Sequence, residues 1–177
     1  MPITIDTSAT GDQLLAFGVL LGRSGKTIES EISGSSMGST LPPGCRIRIR
    51  LLSFPEYDAG QVVAFVSGNR IFVHRVIFRS RQGVLTRGDN HSWCDLPVLS
   101  SAVLGVVTHY LSHGEWRPLD DHPGFEHEGT TKGKSALETL LRLCMQIDIR
   151  MARHVARALA RAARWRRRLI TGPVRTM

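Results

Sequence analysis

The chain has 177 residues, 42% hydrophobic and 21% charged, enough for one domain with a sizeable core and an extension beyond it. Its three cysteines, Cys45, Cys94 and Cys144, form no CxxC pair, which argues against a disulfide framework or a zinc site and for a reducing compartment. The formal charge of +8 is unevenly placed. Residues 1–131 carry 11 Lys/Arg against 13 Asp/Glu, a net of −2, while residues 132–177 carry 12 against 2, a net of +10. The basic excess therefore belongs to the tail, and the high pI says nothing about what the rest of the chain binds.

In chain order, residues 1–26 read as a short helix and a turn. Asp12 starts the helix, and Leu14, Phe17 and Leu21 share one face. The apolar stretch Leu14–Leu21 is far shorter than the roughly 20 residues that span a bilayer, and no basic segment precedes it as in a secretory signal. The expectation is a cytoplasmic protein, soluble or peripheral at the inner face of the membrane. Gly22-Arg23-Ser24-Gly25-Lys26-Thr27 has the look of a phosphate loop. However, Leu20 stands where such a loop needs its first glycine, so a polar turn is the better reading.

A set of short strands with close turns follows, which predicts a mainly β domain over 27–111, curled and mostly antiparallel. The first strand is expected at Thr27–Ile32. In the next, Cys45–Leu51, alternation puts Cys45, Ile47, Ile49 and Leu51 on one face and Arg46, Arg48 and Arg50 on a solvated one. Gln61–Val66 and Arg70–Arg79, joined by Ser67-Gly68-Asn69, read as a hairpin, with His74 sharing a face with Phe72, Val76 and Phe78. Gly83–Arg87 and Ala102–Leu111 complete the set. Periodicity is then lost over 112–134, which reads as a linker. Its histidines and the nearby His109 have no ligand spacing, so neither a metal nor any other cofactor is expected.

Residues 135–177 read as a basic tail with one long amphipathic helix to about Ile170. Ser135 caps the helix, Leu137, Leu141, Cys144, Met151, Val155 and Leu159 form an apolar stripe, and Arg150, Arg153, Arg157, Arg161, Arg164 and Arg168 form a basic one. Such a helix can lie on an anionic membrane surface, pack on the β domain or bind nucleic acid. The first is expected, through residues 135–170, and nucleic acid is the least favoured.

Three segments carry the chemistry. Gly34-Ser35-Ser36-Met37-Gly38-Ser39-Thr40-Leu41 precedes a strand, His74-Arg75-Val76 lies on one, and Arg87-Gly88-Asp89-Asn90 with Asp95 follows another. A serine hydroxyl needs a base to become a nucleophile, and the base needs a group that orients it. Together these segments resemble the type I signal peptidases and the wider fold they share with self-cleaving SOS-response repressors. The histidine-containing type of the endoplasmic reticulum and archaea is the most similar. The resemblance covers about residues 28–111. It departs at Ser39, where the family has proline, and at Cys45, where it has aspartate.

The resemblance implies a signal-peptidase-like serine endopeptidase that cleaves leader or signal segments from peptide or protein substrates. Ser36 is then the nucleophile, His74 the base, Asp95 the orienting carboxylate and Asp89 a supporting residue, with Asp89 the alternative for the orienting role. Gly34, Ser35 and Met37 are expected at the oxyanion hole and substrate-binding side, together with the Ser36 amide. A non-catalytic binding module on the same fold and a self-cleaving regulator are the other readings. The latter lacks an Ala-Gly or Cys-Gly bond upstream of the serine.

Overall fold

The computed structural model describes Gln13, Ala16 and residues 26–52, 56–121 and 136–170, with 163–170 described as helical backbone only. Gln13 and Ala16 are helical, and the rest of the expected N-terminal helix and residues 22–25 of the phosphate-loop-like turn lie outside the described residues.

Eight strands form one antiparallel sheet: β1 (Thr27–Glu31), β2 (Arg46–Leu51), β3 (Val62–Ser67), β4 (Arg70–Arg79), β5 (Gly83–Arg87), β6 (Val98–Leu99), β7 (Val103–Ser112) and β8 (Glu115–Pro118). Their order across the sheet is β1-β2-β7-β3-β4-β5-β6, with β8 added on β7. β7 pairs along one edge with β2. Along the other it pairs with β3 over 103–106 and then with β8 over 109–112. This exchange of partner lets the sheet enclose two apolar clusters. One is built on Ile28, Ile47, Ile49, Val62 and Val107, the other on Tyr57, Val63, Phe65, Val76 and Val106.

The alternation in β2 is realised as expected. Ile47, Ile49 and Leu51 are buried, whereas Arg46 and Arg48 lie over the Trp116 ring and both reach Glu29 across the β1–β2 pair. In β4 the alternation is not continuous. A register shift between Val76 and Phe78 separates Phe78 from the face that His74 shares with Val76, and Phe78 packs instead toward the C-terminal helices. Two further differences follow from tertiary contacts. The segment expected as linker from 112 begins as ordered structure, because β8 completes the edge of β7 and a 3-10 turn (Leu119–Asp121) buries Leu119.

The single long helix is instead two, α1 (Ala136–Ile147) and α2 (Ile149–Ile170), broken at Asp148. The Asp148 carboxylate accepts from the Arg150 amide at 2.6 Å, which suits the start of a new helix. Leu141, Cys144, Met145, Ile149, Ala152 and Ala156 are buried against Ile77 and Leu85. Polar contacts reinforce the docking. Glu138, buried, meets Arg87 of β5 at 3.5 Å and Arg142 at 2.5 Å, and Arg142 also donates to the Ile77 carbonyl at 2.9 Å. Leu141 and Cys144 from the expected stripe thus face the β domain. Leu137, Met151 and Leu159 from the same stripe are exposed.

Candidate active site

The Ser36 loop is held from below and at its neck. Ile32 donates its amide to the Cys45 carbonyl at 2.9 Å, and the Gly44 amide donates to the Ile32 carbonyl at 2.7 Å, so β1 and β2 close the loop between them. Met37 and Leu41 are buried in the first core cluster. The chain turns over them through bonds from the Gly38 amide to the Ser35 carbonyl and from the Thr40 amide to the Met37 carbonyl. Gly38 sits at φ +58°, a left-handed conformation that glycine adopts without strain. The Met37 side chain therefore anchors the loop in the core.

His74 comes from the middle of β4, next to β3 and β5, and is only 4% exposed. The Phe65, Phe72 and His91 rings surround it at centroid distances of 6.0, 6.0 and 5.9 Å. Its Nε2 lies 2.9 Å from Ser36 Oγ and its Nδ1 lies 2.7 Å from Asp95 Oδ2. A carboxylate only accepts, so Nδ1 carries the proton and Nε2 is left to accept from the serine hydroxyl. Asp95 returns to the strand end by donating its amide to the Thr86 carbonyl at 2.8 Å, and Thr86 Oγ1 donates to Asp95 Oδ2 at 2.7 Å. Ser36, His74 and Asp95 are thus brought together in one hydrogen-bonded line.

Asp89 lies off that line. Both its oxygens are held by Arg75, at 2.9 Å from Nε and 2.6 Å from Nη2, and Arg75 Nη1 reaches the Gly60 carbonyl at 2.7 Å. The pair is largely buried and fixes the turn after β5. That turn in turn holds the Ser36 loop: the Asn90 amide donates to the Ser36 carbonyl at 2.9 Å and Asn90 Nδ2 to the Ser35 carbonyl at 3.3 Å. Arg75 stood within a quoted motif and Thr86 at the end of an expected strand, but with no pattern to give them these roles. His91 and Trp93, whose rings stack at 5.2 Å beside His74, carried no signal in the sequence at all.

The Ser36 carbonyl is engaged, and among the described residues no acceptor takes the Ser36 amide, which leaves that N–H available to an oxyanion. Gly34 and Ser35 are exposed on the same loop, with open space around Gly34. Cys94, beside Asp95, is no rival nucleophile. Burial, reinforced by the Glu138 carboxylate, pushes its thiol up and keeps it protonated. Among the described residues no three His, Cys, Asp or Glu side chains converge as metal ligands.

Gly88 sets the spacing between the two loops. A Cβ added there would lie 2.5 Å from the Ser36 carbonyl oxygen and 3.1 Å from Ser36 Cβ. Gly88→Ala should push Ser36 away from His74 and lower the rate of any reaction that uses the pair by about a hundredfold or more, the cost of a misplacement near 1 Å. Steady-state kinetics on the folded variant check this, and an unaltered rate would show that the loop yields without cost.

No family model, no curated protein and no solved structure matches the chain.

Proposed function

We propose that this chain is a serine endopeptidase resembling the histidine-type signal peptidases, cleaving leader or signal segments from peptide or protein substrates. One observation carries this reading: the line Ser36 Oγ, His74 Nε2, His74 Nδ1, Asp95 Oδ2, with spacings of 2.9 and 2.7 Å at its two contacts. Ser36 Oγ attacks the scissile carbonyl carbon while His74 Nε2 takes the hydroxyl proton, and Asp95 stabilises the imidazolium that forms. The carbonyl electrons pass to oxygen, facing the Ser36 amide. Collapse breaks the C–N bond, His74 returns the proton to the leaving amine, and an acyl-Ser36 ester remains. Water, deprotonated by the same imidazole, hydrolyses that ester. The test is turnover of a peptide library by the purified protein against its Ser36→Ala variant. Equal turnover by both would end the peptidase reading of this site, and no turnover by either would leave a binding module.

The same reading places the enzyme in the cytoplasm, at the inner face of a membrane. Leu140, Leu143 and Ile147 lie three and four residues apart on α1 and are 43%, 56% and 75% exposed, so one helix face is apolar and uncovered by the described chain. The net +10 of residues 132–177 complements an anionic lipid surface, where each basic residue contributes about 1 kcal/mol. No helix among the described residues is long and apolar enough to cross a membrane. The full-length protein should co-sediment with anionic but not neutral vesicles, less so at high salt and less again as Leu143→Gln/Ile147→Gln. Absence of sedimentation with anionic vesicles at low salt would overturn this docking.

A further inference from the structure

Beside the triad, on the Asp95 side, lies an open cavity of about 410 Å³, within the range of small-ligand clefts. Phe65 and Phe72, the rings that also flank His74, form part of its apolar lining with Leu96. Asp95 borders it, and from α2 come Arg153 and Arg157. A ligand in this cavity therefore touches the wall of the catalytic histidine on one side and two guanidinium groups on the other.

These arginines are not accounted for by the triad. The bonds described for the Asp95 carboxylate run to His74 and Thr86 and none to Arg153 or Arg157. Arg153 Nε is buried without a hydrogen-bond partner among the described residues, an arrangement that costs free energy unless a ligand completes it. With two cations against one carboxylate, whose Oδ2 is engaged by His74 and Thr86, the cavity favours an anion. Its aromatic lining favours one carried on an apolar stem.

We propose that this cavity is a specificity subsite that receives an acidic residue of the substrate, with Arg153 and Arg157 pairing with its carboxylate and Phe72 and Leu96 packing its aliphatic part. The inference rests on the peptidase reading and extends it. The basic C-terminal helix then supplies part of the substrate site as well as covering the β domain. A guanidinium fork suits a carboxylate bidentately, so a Glu side chain is preferred over its isosteric amide.

The test is a positional-scanning peptide library in which Glu, Gln and Lys are placed in turn at each position around the cleaved bond. At one position Glu should be preferred over Gln at least about tenfold in kcat/KM. That ratio should collapse toward one in Arg153→Gln/Arg157→Gln and turn toward Lys in Arg153→Glu/Arg157→Glu. Binding of the same fluorescein-labelled peptides to the Ser36→Ala protein provides a readout independent of cleavage. Cleavage without a Glu preference, or an equal fall for Glu and Gln peptides in the arginine variants, overturns the subsite and leaves the peptidase standing. Binding that prefers Glu, with no cleavage of any peptide, supports the subsite and overturns the peptidase.

Discussion

Ser36→Ala is expected to lower peptide cleavage by about four to six orders of magnitude while the protein stays folded. In the proposed mechanism the hydroxyl is the atom that attacks, and His74 Nε2, 2.9 Å away, has no other acceptor or donor role in the described site. What remains in the variant is the oxyanion-binding amide and substrate binding, which together give only a small residue of the rate. Ser36 is half-buried at a turn, so loss of one oxygen there opens no core cavity, and the melting temperature should move by no more than a few degrees. Kinetics and thermal denaturation on the same preparation check both statements. A variant that cleaves at the wild-type rate would exclude Ser36 as the nucleophile.

The two aspartates should separate cleanly by their effects. Asp95→Asn keeps the shape of the side chain but offers an amide where a carboxylate accepted from His74 Nδ1 and Thr86 Oγ1. The imidazole then takes the wrong tautomer and the imidazolium loses its counter-charge, a change expected to lower kcat about 10⁴-fold with modest loss of stability. Asp89→Asn instead removes the negative charge that accepts from both Nε and Nη2 of the buried Arg75, at a cost of about 3–5 kcal/mol in folding stability. Chemical denaturation with parallel kinetics distinguishes them. A stable but inactive Asp89→Asn protein beside an active Asp95→Asn protein would exchange the two roles.

Gly88 belongs with this pair. The Arg75–Asp89 contact fixes the turn that approaches Ser36, and the missing side chain at Gly88 allows the approach. In the proposed mechanism the supporting role of Asp89 is therefore mechanical: the turn it fixes holds the Ser36 loop through Asn90.

Much of this was readable from the chain alone. Strict alternation in 45–51, the continuous apolar run at 62–66 and the glycine-bearing turns determine strands locally, because a period of two and a turn residue constrain only neighbouring backbone. The order Ser36, His74, Asp95 was likewise legible, since each residue sits at a recognisable strand edge or turn. An apolar residue next to a candidate nucleophile looks the same in sequence whether its side chain faces substrate or core. The burial of Met37 beneath the loop depends on Ile28, Ile47 and Val107, which come from three different strands.

The C-terminal region shows most clearly where local pattern stops. Its apolar and basic periodicity determined that it is helical, and it is. Periodicity did not determine which of two apolar faces is covered, nor that the helix breaks at Asp148, because both depend on the surface offered by Ile77 and Leu85. β8 was missed for the same reason, since its strand exists by pairing with the free edge of β7. The sequence by itself determined the kinds of element and the three candidate catalytic side chains, through short-range patterns of hydrophobicity and turn chemistry. Only the tertiary structure decided that Asp95 and not Asp89 meets His74, and that Arg153 lies beside the triad, because residues 14 to 58 positions apart meet only when strand pairing and core burial bring them together.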